Sequence, residues 1–156
     1  RWQLEQVQFI PRPRSEVFDF FSNAANLERL TPALLKFRIL TPLPIEMCEG
    51  ALIDYQLKLY GLPVRWRTRI ESYEPEERFI DTQLKGPYRY WHHVHEFKEH
   101  QGGTEMRDLV NYELPFGPLG SIARALFVKR SLADIFKHRR QVIDSLFAQD
   151  SSQPEP

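Results

Sequence analysis

The sequence predicts an α+β fold in which a curved, seven-stranded antiparallel sheet wraps around a long C-terminal helix, with two short helices between strands 1 and 2. Residues 36–114 alternate apolar and polar side chains with a period of two, which is typical of strands. Short turns containing Pro and Gly separate these strands, so we expect neighbours to pair antiparallel. Residues 118–147 carry apolar side chains at helical spacing and predict the C-terminal helix.

The first predicted element is a strand from Trp2 to Ile10. Its apolar positions change parity in the middle, which predicts a bulge near Glu5 and Gln6. We expect Pro11 to end this strand, because proline cannot donate to a strand ladder.

Two short helices and six further strands are predicted to follow. Ser15 is expected to cap the first helix, which ends at Asn23, and the second helix spans Asn26 to Leu30 before Pro32. The strands are predicted at Phe37–Thr41, Leu52–Tyr60, Val64–Tyr73, Phe79–Leu84, Arg89–Glu99 and Thr104–Leu114.

The C-terminal helical region carries two apolar stripes that lie on nearly opposite sides. The first stripe comprises Leu119, Ile122, Ala123, Leu126 and Phe127. The second comprises Val128, Leu132, Ile135, Phe136, Arg139, Val142, Ile143 and Leu146. Since one straight helix cannot bury both stripes against one sheet, we expect a break or sharp kink between Phe127 and Leu132, with Ser131 and Asp134 as a capping box. The second helix then crosses the sheet, and the first rests near one end of it.

Charged residues at alternate positions indicate which face of each strand contacts water. The inward residues predicted in this way are Ile53, Tyr55, Leu57, Leu59, Trp66, Thr68, Ile70, Met106, Asp108, Val110, Tyr112 and Leu114. Asp108 is therefore a carboxylate on an otherwise apolar row. In Phe79–Leu84 both parities are mixed, so the inner face of that strand stays open.

A two-residue loop at Gln101 and Gly102 predicts the register of the last hairpin. Residues whose numbers sum to 203 then face each other, which pairs Trp91 with Tyr112, His93 with Val110, His95 with Asp108 and Phe97 with Met106. A loop one residue later would keep the faces and pair Phe97 with Asp108 instead.

Arg139 is the exception in the second helical stripe, because an unpaired guanidinium facing the sheet would be very costly. We expect it to pair with an inward carboxylate, Asp108 or Asp81, or with an anionic ligand.

Composition limits the possible functions. The chain has 156 residues, and its 21 Lys and Arg balance 21 Asp and Glu, which argues against a nucleic-acid partner. One cysteine excludes a disulfide framework, and the apolar runs are too short to span a membrane. No signal peptide is recognisable, so we expect a cytoplasmic monomer or homodimer with one domain at 1–148 and a polar tail at 149–156.

Four segments carry a resemblance to a known family: Leu30–Pro32, Gly86–Phe97, Gly103–Asp108 and Leu114–Gly120. On these residues and the order of elements, the chain resembles the START/Bet v 1-like (SRPBCC) superfamily, in its bacterial polyketide cyclase/dehydrase-like, ligand-binding branch. The resemblance covers residues 2–148. It implies a helix-grip fold with an apolar cavity between the sheet and the C-terminal helix. It also implies an apolar ligand such as a lipid, isoprenoid or polyketide, and a few members catalyse cyclisation or dehydration.

The leading functional hypothesis is therefore ligand binding. The residues expected to line the cavity are Tyr55, Trp66, Thr68, Trp91, His93, His95, Phe97, Met106, Asp108, Tyr112 and Arg139. The alternative is a cyclase or dehydratase in which His95 and Asp108 act as acid and base while Arg139 holds a carboxylate or enolate.

His93, His95 and Asp108 also have the composition of a two-histidine, one-carboxylate metal site. We expect a hydrogen-bonded pair of His95 and Asp108 instead, and no metal or other cofactor, because no further ligand is clearly aimed at the histidines.

Residues outside the predicted cavity are considered for other functions, namely protein interaction, membrane contact and nucleophilic catalysis. Tyr88, Tyr90 and His92 would form the contact surface of a protein-interaction module. The basic side of the C-terminal helices is expected to be solvated rather than to contact an acidic membrane at its surface. It comprises Lys129, Arg130, Lys137, His138 and Arg140. Cys48 has no histidine placed near it and is not expected to be a nucleophile.

Overall fold

One antiparallel sheet forms the frame of the protein in the computed structural model, which describes residues 1–151. Its strands are β1 (Trp2–Ile10), β2 (Arg38–Ile39), β3 (Leu52–Leu59), β4 (Leu62–Glu74), β5 (Arg78–Lys85), β6 (Tyr90–His100) and β7 (Gly103–Glu113). They lie in the order β1-β7-β6-β5-β4-β3-β2, so β1 pairs with the last strand and each later strand pairs with its neighbour in sequence.

The helices occupy the two places that the sequence predicts. Between β1 and β2 lie α1 (Arg14–Phe21), a 3₁₀ turn (Ala24–Asn26), α2 (Leu27–Leu30) and a second 3₁₀ turn (Ala33–Leu35). After β7 lie α3 (Gly117–Ala123), a π-helix (Arg124–Val128) and α4 (Lys129–Ser151). The predicted fold class is confirmed. Helix α4 ends at Ser151, and residues 152–156 of the predicted tail lie outside the described residues.

Strand β1 differs from the prediction because it has a regular register. It pairs with β7 residue for residue from Trp2 opposite Tyr112 to Ile10 opposite Thr104, so the predicted bulge near Glu5 and Gln6 is wrong. The change of parity in the sequence has another cause, which is that two glutamines occupy the inward row.

Those two glutamines attach the sheet to α4. Gln6 donates from Nε2 to the carbonyl of Phe136 at 3.3 Å. Gln8 donates to the carbonyl of Arg140 at 3.1 Å and to Asp144 Oδ1 at 2.8 Å. Val7 and Phe9 consequently lie on the outer face and are exposed.

The beginning of α1 also differs from the prediction. The helix starts at Arg14 after Pro13, and Ser15 lies in the first turn instead of capping it. Proline fits this place because the first amides of a helix have no partner within it.

The C-terminal helix changes its face without a break. No capping box forms, because Ser131 and Asp134 lie inside α4 and the chain stays helical through the π-helix. A π turn inserts one extra residue, so the helix faces before and after it are rotated by about 100° relative to each other. The helix changes its face as predicted. The change is produced by a π-helix at 124–128 and not by a kink between Phe127 and Leu132.

The first apolar stripe is exposed rather than packed on the sheet. Four of its members are more than half exposed: Leu119, Ile122, Leu126 and Phe127. Phe127 meets Tyr60 of the β3–β4 turn edge to face, and Arg124 lies over the ring of Trp2. None of the helices within residues 1–151 is both long and apolar enough to cross a bilayer.

The second stripe packs on the concave face of the sheet and divides the interior into two main apolar groups. The first group, at the α1 end, contains Ile10, Val17, Phe18, Phe21, Leu30, Phe79, Phe97, Met106, Ile143 and Phe147. The second group, at the π-helix end, contains Leu57, Trp66, Trp91, Val110, Tyr112, Leu132 and Phe136. Many of the aromatic rings therefore pack against each other.

The change of face can be tested with one leucine from each of the two stripes. Leu132 is 4% exposed and Leu126 is 64% exposed. We expect Leu132→Ala to lower the free energy of unfolding by about 2–5 kcal/mol, because it leaves a cavity in the core. Leu126→Ala should change it by no more than about 0.5 kcal/mol, because little buried surface is lost. Urea unfolding followed by circular dichroism measures both, and equal losses would contradict the assignment.

Candidate ligand-binding site

Four ionisable side chains from three adjacent strands meet on the concave face. Asp81 comes from β5, His93 and His95 from β6, and Asp108 from β7. In the backbone register Asp81 lies opposite His93, and His95 lies opposite Asp108, as the predicted hairpin register requires. The inner face of β5, which the sequence leaves open, is therefore the one that carries Asp81.

The side-chain hydrogen bonds run along the diagonals of this arrangement. His95 Nε2 lies 2.6 Å from Asp81 Oδ2, and His93 Nε2 lies 2.8 Å from Asp108 Oδ1. The two imidazole rings stack with their centroids 3.7 Å apart. This corrects the expectation that His95 hydrogen-bonds to Asp108, because side chains on neighbouring strands lean along the strand and reach the diagonal partner.

Helix α4 contributes the cation of the cluster. Arg139 donates from one terminal nitrogen to Asp108 Oδ1 at 3.2 Å, and its guanidinium lies over the ring of Phe21. Of the three partners considered from the sequence, the observed one is Asp108. Arg139 and Asp108 are both more than nine-tenths buried, so the pair is largely removed from water.

Two polar atoms at the cluster have no hydrogen-bond partner within the described part of the chain. They are Nδ1 of His95 and Nε of Arg139, and both are buried. The nearest carboxylate oxygen to His95 Nδ1 is Asp108 Oδ1 at 3.5 Å. Unsatisfied buried polar atoms are costly, so these two atoms mark places where an additional group could bind.

The environment shifts the pKa values of this cluster. Burial, together with the neighbouring His93, lowers the pKa of His95 to about 4, so its ring is neutral at pH 7. Burial raises the pKa of Asp108, but Arg139 and the two histidines outweigh it and hold that pKa well below its usual range. The pKa of Asp81 is lowered in the same way, since the two histidines outweigh burial.

The charge of the cluster depends on its histidines. Two ionised carboxylates face one guanidinium, which leaves one negative charge unless a histidine takes up a proton or a cation binds. Such an excess is unfavourable in the interior, so the site attracts a proton or a positive group.

A cavity of about 120 Å³ lies directly against the cluster. Its lining comprises Phe21, Ala24, Leu27, Leu30, Met47, Ile53, Tyr55, Thr68, Ile70, Phe79, Asp81, His93, His95 and Arg139. The wall is therefore mostly apolar, with the ionisable groups concentrated on one side. Tyr55 and Thr68 add a pair of hydroxyl groups that lie 3.4 Å apart.

The predicted site residues divide into two sets. Those that line the cavity are Tyr55, Thr68, His93, His95 and Arg139. Trp66, Trp91 and Tyr112 pack within the apolar group at the π-helix end, and Phe97 and Met106 within the group at the α1 end. Asp108 lies outside this lining, held by His93 and Arg139.

Sequence reasoning named Asp81 only as a possible partner of Arg139 and not as a site residue. The only signal was its position on a strand whose two faces are equally mixed. It also missed the wall that the short helices and the β2–β3 connection supply: Phe21, Ala24, Leu27, Leu30 and Met47. These residues look like ordinary core positions in the sequence.

Residues considered for other roles lie elsewhere. Tyr88 is a correction, because it packs inward against Trp66 and Trp91 instead of lying on the outer surface. Tyr90 and His92 stack on each other. Cys48 is exposed. On the basic side of the helices, Lys129, Arg130, Lys137 and Arg140 are exposed and His138 is half-buried.

The contributions of Arg139 and Asp108 to the free energy of unfolding should be strongly coupled. We expect Arg139→Met to lower the free energy of unfolding by about 3–5 kcal/mol, because it leaves Asp108 buried without its guanidinium. The double variant Arg139→Met with Asp108→Asn should lose less than the sum of the two single variants, by about 0.5–3 kcal/mol.

Chemical unfolding of the four proteins measures this coupling. Arg140→Met is the matched control, because Arg140 is adjacent in sequence but exposed, and it should cost no more than about 0.5 kcal/mol. Strictly additive losses would show that Arg139 and Asp108 do not interact.

Solved structures share this architecture. TTHA0849 from Thermus thermophilus superposes with a TM-score of 0.71 and 15% identity, covering 93% of this chain and 99% of that one. Ara h 8.0201 gives a TM-score of 0.62 and 16% identity, covering 92% and 98%. Likeness at this identity shows the fold alone, and it agrees with the helix-grip architecture expected from the sequence.

A third solved structure shows higher identity over part of a longer chain. It is the nucleoside-diphosphate sugar epimerase from Corynebacterium glutamicum, which is 26% identical with a TM-score of 0.66 over 90% of this chain and 28% of that one. No protein of curated function matches the chain at a significant level. The family model described as polyketide cyclase / dehydrase and lipid transport matches residues 10–139, and the chain belongs to this family.

Proposed function

We propose that the protein binds a largely apolar small molecule, such as a lipid, an isoprenoid or a polyketide-like compound. Its place would be the cavity between the sheet and the short helices, to which α4 contributes only Arg139, and not a space along the whole of α4 as expected from the sequence. The observation that carries the proposal is the two-sided lining of this cavity. Apolar residues of the short helices and strands face a polar side formed by Asp81, His93, His95 and Arg139. Apolar walls with a few convergent polar groups are typical of ligand sites.

The size of the cavity bears on the ligand. At about 120 Å³ it is close to the engineered apolar cavity of about 150 Å³ that holds benzene. The rigid, paired strands form one side, whereas Leu27, Leu30 and Met47 come from a one-turn helix and a connection. A longer ligand therefore enters by displacing this second side, which has fewer backbone hydrogen bonds to break.

The polar side of the cavity would orient the ligand. His95 Nδ1 and Arg139 Nε lack partners among residues 1–151. Since His95 Nε2 faces the carboxylate of Asp81, Nδ1 can accept a hydrogen bond from a ligand hydroxyl, and Arg139 Nε can donate to a ligand oxygen. The apolar part of the molecule would then lie against Ile53 and Ile70.

A second function, an acid/base enzyme of the cyclase or dehydratase type, is favoured by one specific observation. His95 is neutral at pH 7, faces the cavity and has a ring nitrogen without a partner, as a proton acceptor requires. The carboxylate that orients it is Asp81, at 2.6 Å, and Asp108 acts only through His93 and Arg139.

The binding proposal can be tested by filling the cavity. Ala24→Leu adds three carbon atoms to a buried residue of the lining and should abolish binding of toluene and of any co-purifying apolar molecule. Native mass spectrometry detects the co-purifying molecule, and the rise of Tm with added toluene reports probe binding.

The matched control is Ala133→Leu, which makes the same change on the exposed side of α4 and should bind like the wild type. An Ala24→Leu protein with native circular dichroism and undiminished toluene binding would contradict the proposal.

One variant distinguishes ligand binding from acid/base catalysis. If the protein is an enzyme, His95→Gln should lower the rate of cyclisation of a synthetic poly-β-ketone by about 10²–10⁴-fold while leaving its binding nearly unchanged. His92→Gln, on the opposite face of the same strand, is the control and should keep the wild-type rate. Absence of turnover by the wild type would leave binding as the function.

A further inference from the structure

We propose that Asp81, His93 and His95 bind one divalent transition-metal ion of the Zn²⁺ or Fe²⁺ type, with an open coordination position that faces the cavity. These three residues each offer a ligating atom, and the three atoms lie within 4.8 Å of one another. The set consists of two imidazoles and one carboxylate, which suits borderline first-row divalent ions better than Mg²⁺ or Ca²⁺.

The hydrogen bonds indicate which atoms would face the ion. Asp81 Oδ2 lies 2.6 Å from His95 Nε2 and 3.6 Å from His93 Nδ1. In a tetrahedral site with bonds near 2.05 Å, ligating atoms are roughly 3.3 Å apart. The Asp81–His93 distance is already close to this spacing, whereas Asp81 and His95 would separate slightly and take the ion between them in place of a shared proton. The stacked rings of His93 and His95 would turn so that both nitrogens face the ion.

The second ring nitrogen of His93 has a carboxylate partner, as in many histidines that bind a metal. This nitrogen, Nε2, lies 2.8 Å from Asp108 Oδ1, and Arg139 holds the same carboxylate oxygen. A histidine that binds a metal usually donates its second N–H to a carboxylate, which fixes the ring and raises its basicity. Asp108 and Arg139 are accordingly positioning residues for His93.

The second nitrogen of His95 agrees with the same assignment. Nδ1 is buried, has no hydrogen-bond partner within the described residues and lies 3.5 Å from Asp108 Oδ1. With the metal on Nε2, Nδ1 carries the proton and points toward this carboxylate. In the metal-free cluster the same atom is a buried polar group without a partner.

The surroundings of the three ligands also suit a cation. Two buried carboxylates, Asp81 and Asp108, lie beside the histidines, and a single guanidinium, Arg139, faces them. Binding would require both histidines to be deprotonated, so the ion competes with protons for the site.

The position of Asp81 supplies the further ligand whose absence led to the sequence-based expectation of no metal. From the sequence, Asp108 is the carboxylate beside the histidines, and no further ligand is aimed at them. The structure brings in Asp81 from β5 and uses Asp108 to hold His93. Since the three ligands also line the cavity, the position left open on the ion faces the apolar space.

The experiment uses the metal alone. Protein freed of metal by chelator dialysis is titrated with Zn²⁺, and bound metal is counted by mass spectrometry. We expect one ion per chain in the wild type. Asp81→Asn and His95→Gln should weaken binding at least tenfold with circular dichroism unchanged, since each keeps the size of a polar group but removes a good ligand.

Surface histidines require their own control. The triple variant His92→Gln, His100→Gln, His138→Gln leaves His93 and His95 as the only histidines of the chain and should still bind one Zn²⁺. Loss of binding in this variant would assign the metal to the surface and overturn the proposal. A wild-type protein that binds less than one ion per chain, or an Asp81→Asn protein that binds normally, would overturn it too.

The visible spectrum of bound Co²⁺ tests the coordination of the site in the wild-type protein, so it does not require that any variant folds. Co²⁺ bound by two imidazoles and a carboxylate with an open position should give intense visible bands of low coordination number. The weak spectrum of six-coordinate Co²⁺ would contradict the site. The cavity test with Ala24→Leu is run on chelator-treated protein, so failure of the metal proposal and failure of the binding proposal are distinguishable.

Discussion

The buried pair of Arg139 and Asp108 is the constraint on which the arrangement of helix and sheet depends. A guanidinium on the inner side of α4 is tolerable only where it meets a carboxylate, so the pair fixes both the rotation and the axial position of the helix. Gln8 reinforces that position on the same helix, through the carbonyl of Arg140 and the carboxylate of Asp144.

The same pair explains why ionisable groups accumulate in the middle of the sheet. Asp108 brings His93 into the interior, and His93 stacks on His95, which in turn is held by Asp81. The cluster lies between the two apolar groups, since His95 stacks on Phe79 at the α1 end and His93 meets Phe136 at the π-helix end. The ionisable groups therefore form a polar layer between two closely packed apolar groups, and the cavity lies against this layer.

Strand parity explains how much the sequence could predict. On β7 one face is mostly apolar and the other mostly charged, so alternation predicts its inward residues. The two-residue loop then predicts the hairpin register, and with it the inward face of β6, correctly. On β5 the inward row, with Phe79 and Asp81, is no more apolar than the outward row. Alternation therefore does not predict which face of this strand points inward. The diagonal hydrogen bonds depend on side-chain direction, which has no signature in the pattern of apolar positions. The two apolar stripes indicate a change of helix face, but they do not distinguish one inserted residue from a break in the helix.

The carboxylates of the cluster would limit which ligand the proposed site accepts. Arg139 already donates to Asp108, so it is not free to neutralise a second carboxylate, and an anionic ligand would lie beside Asp81. In the metal-free protein the proposed site would therefore favour neutral molecules or hydrogen-bond donors. A divalent ion on Asp81, His93 and His95 would make a carboxylate, enolate or carbonyl oxygen the preferred group. On the two proposals together, the chemical class of ligand would depend on whether the cluster holds a proton or a metal ion.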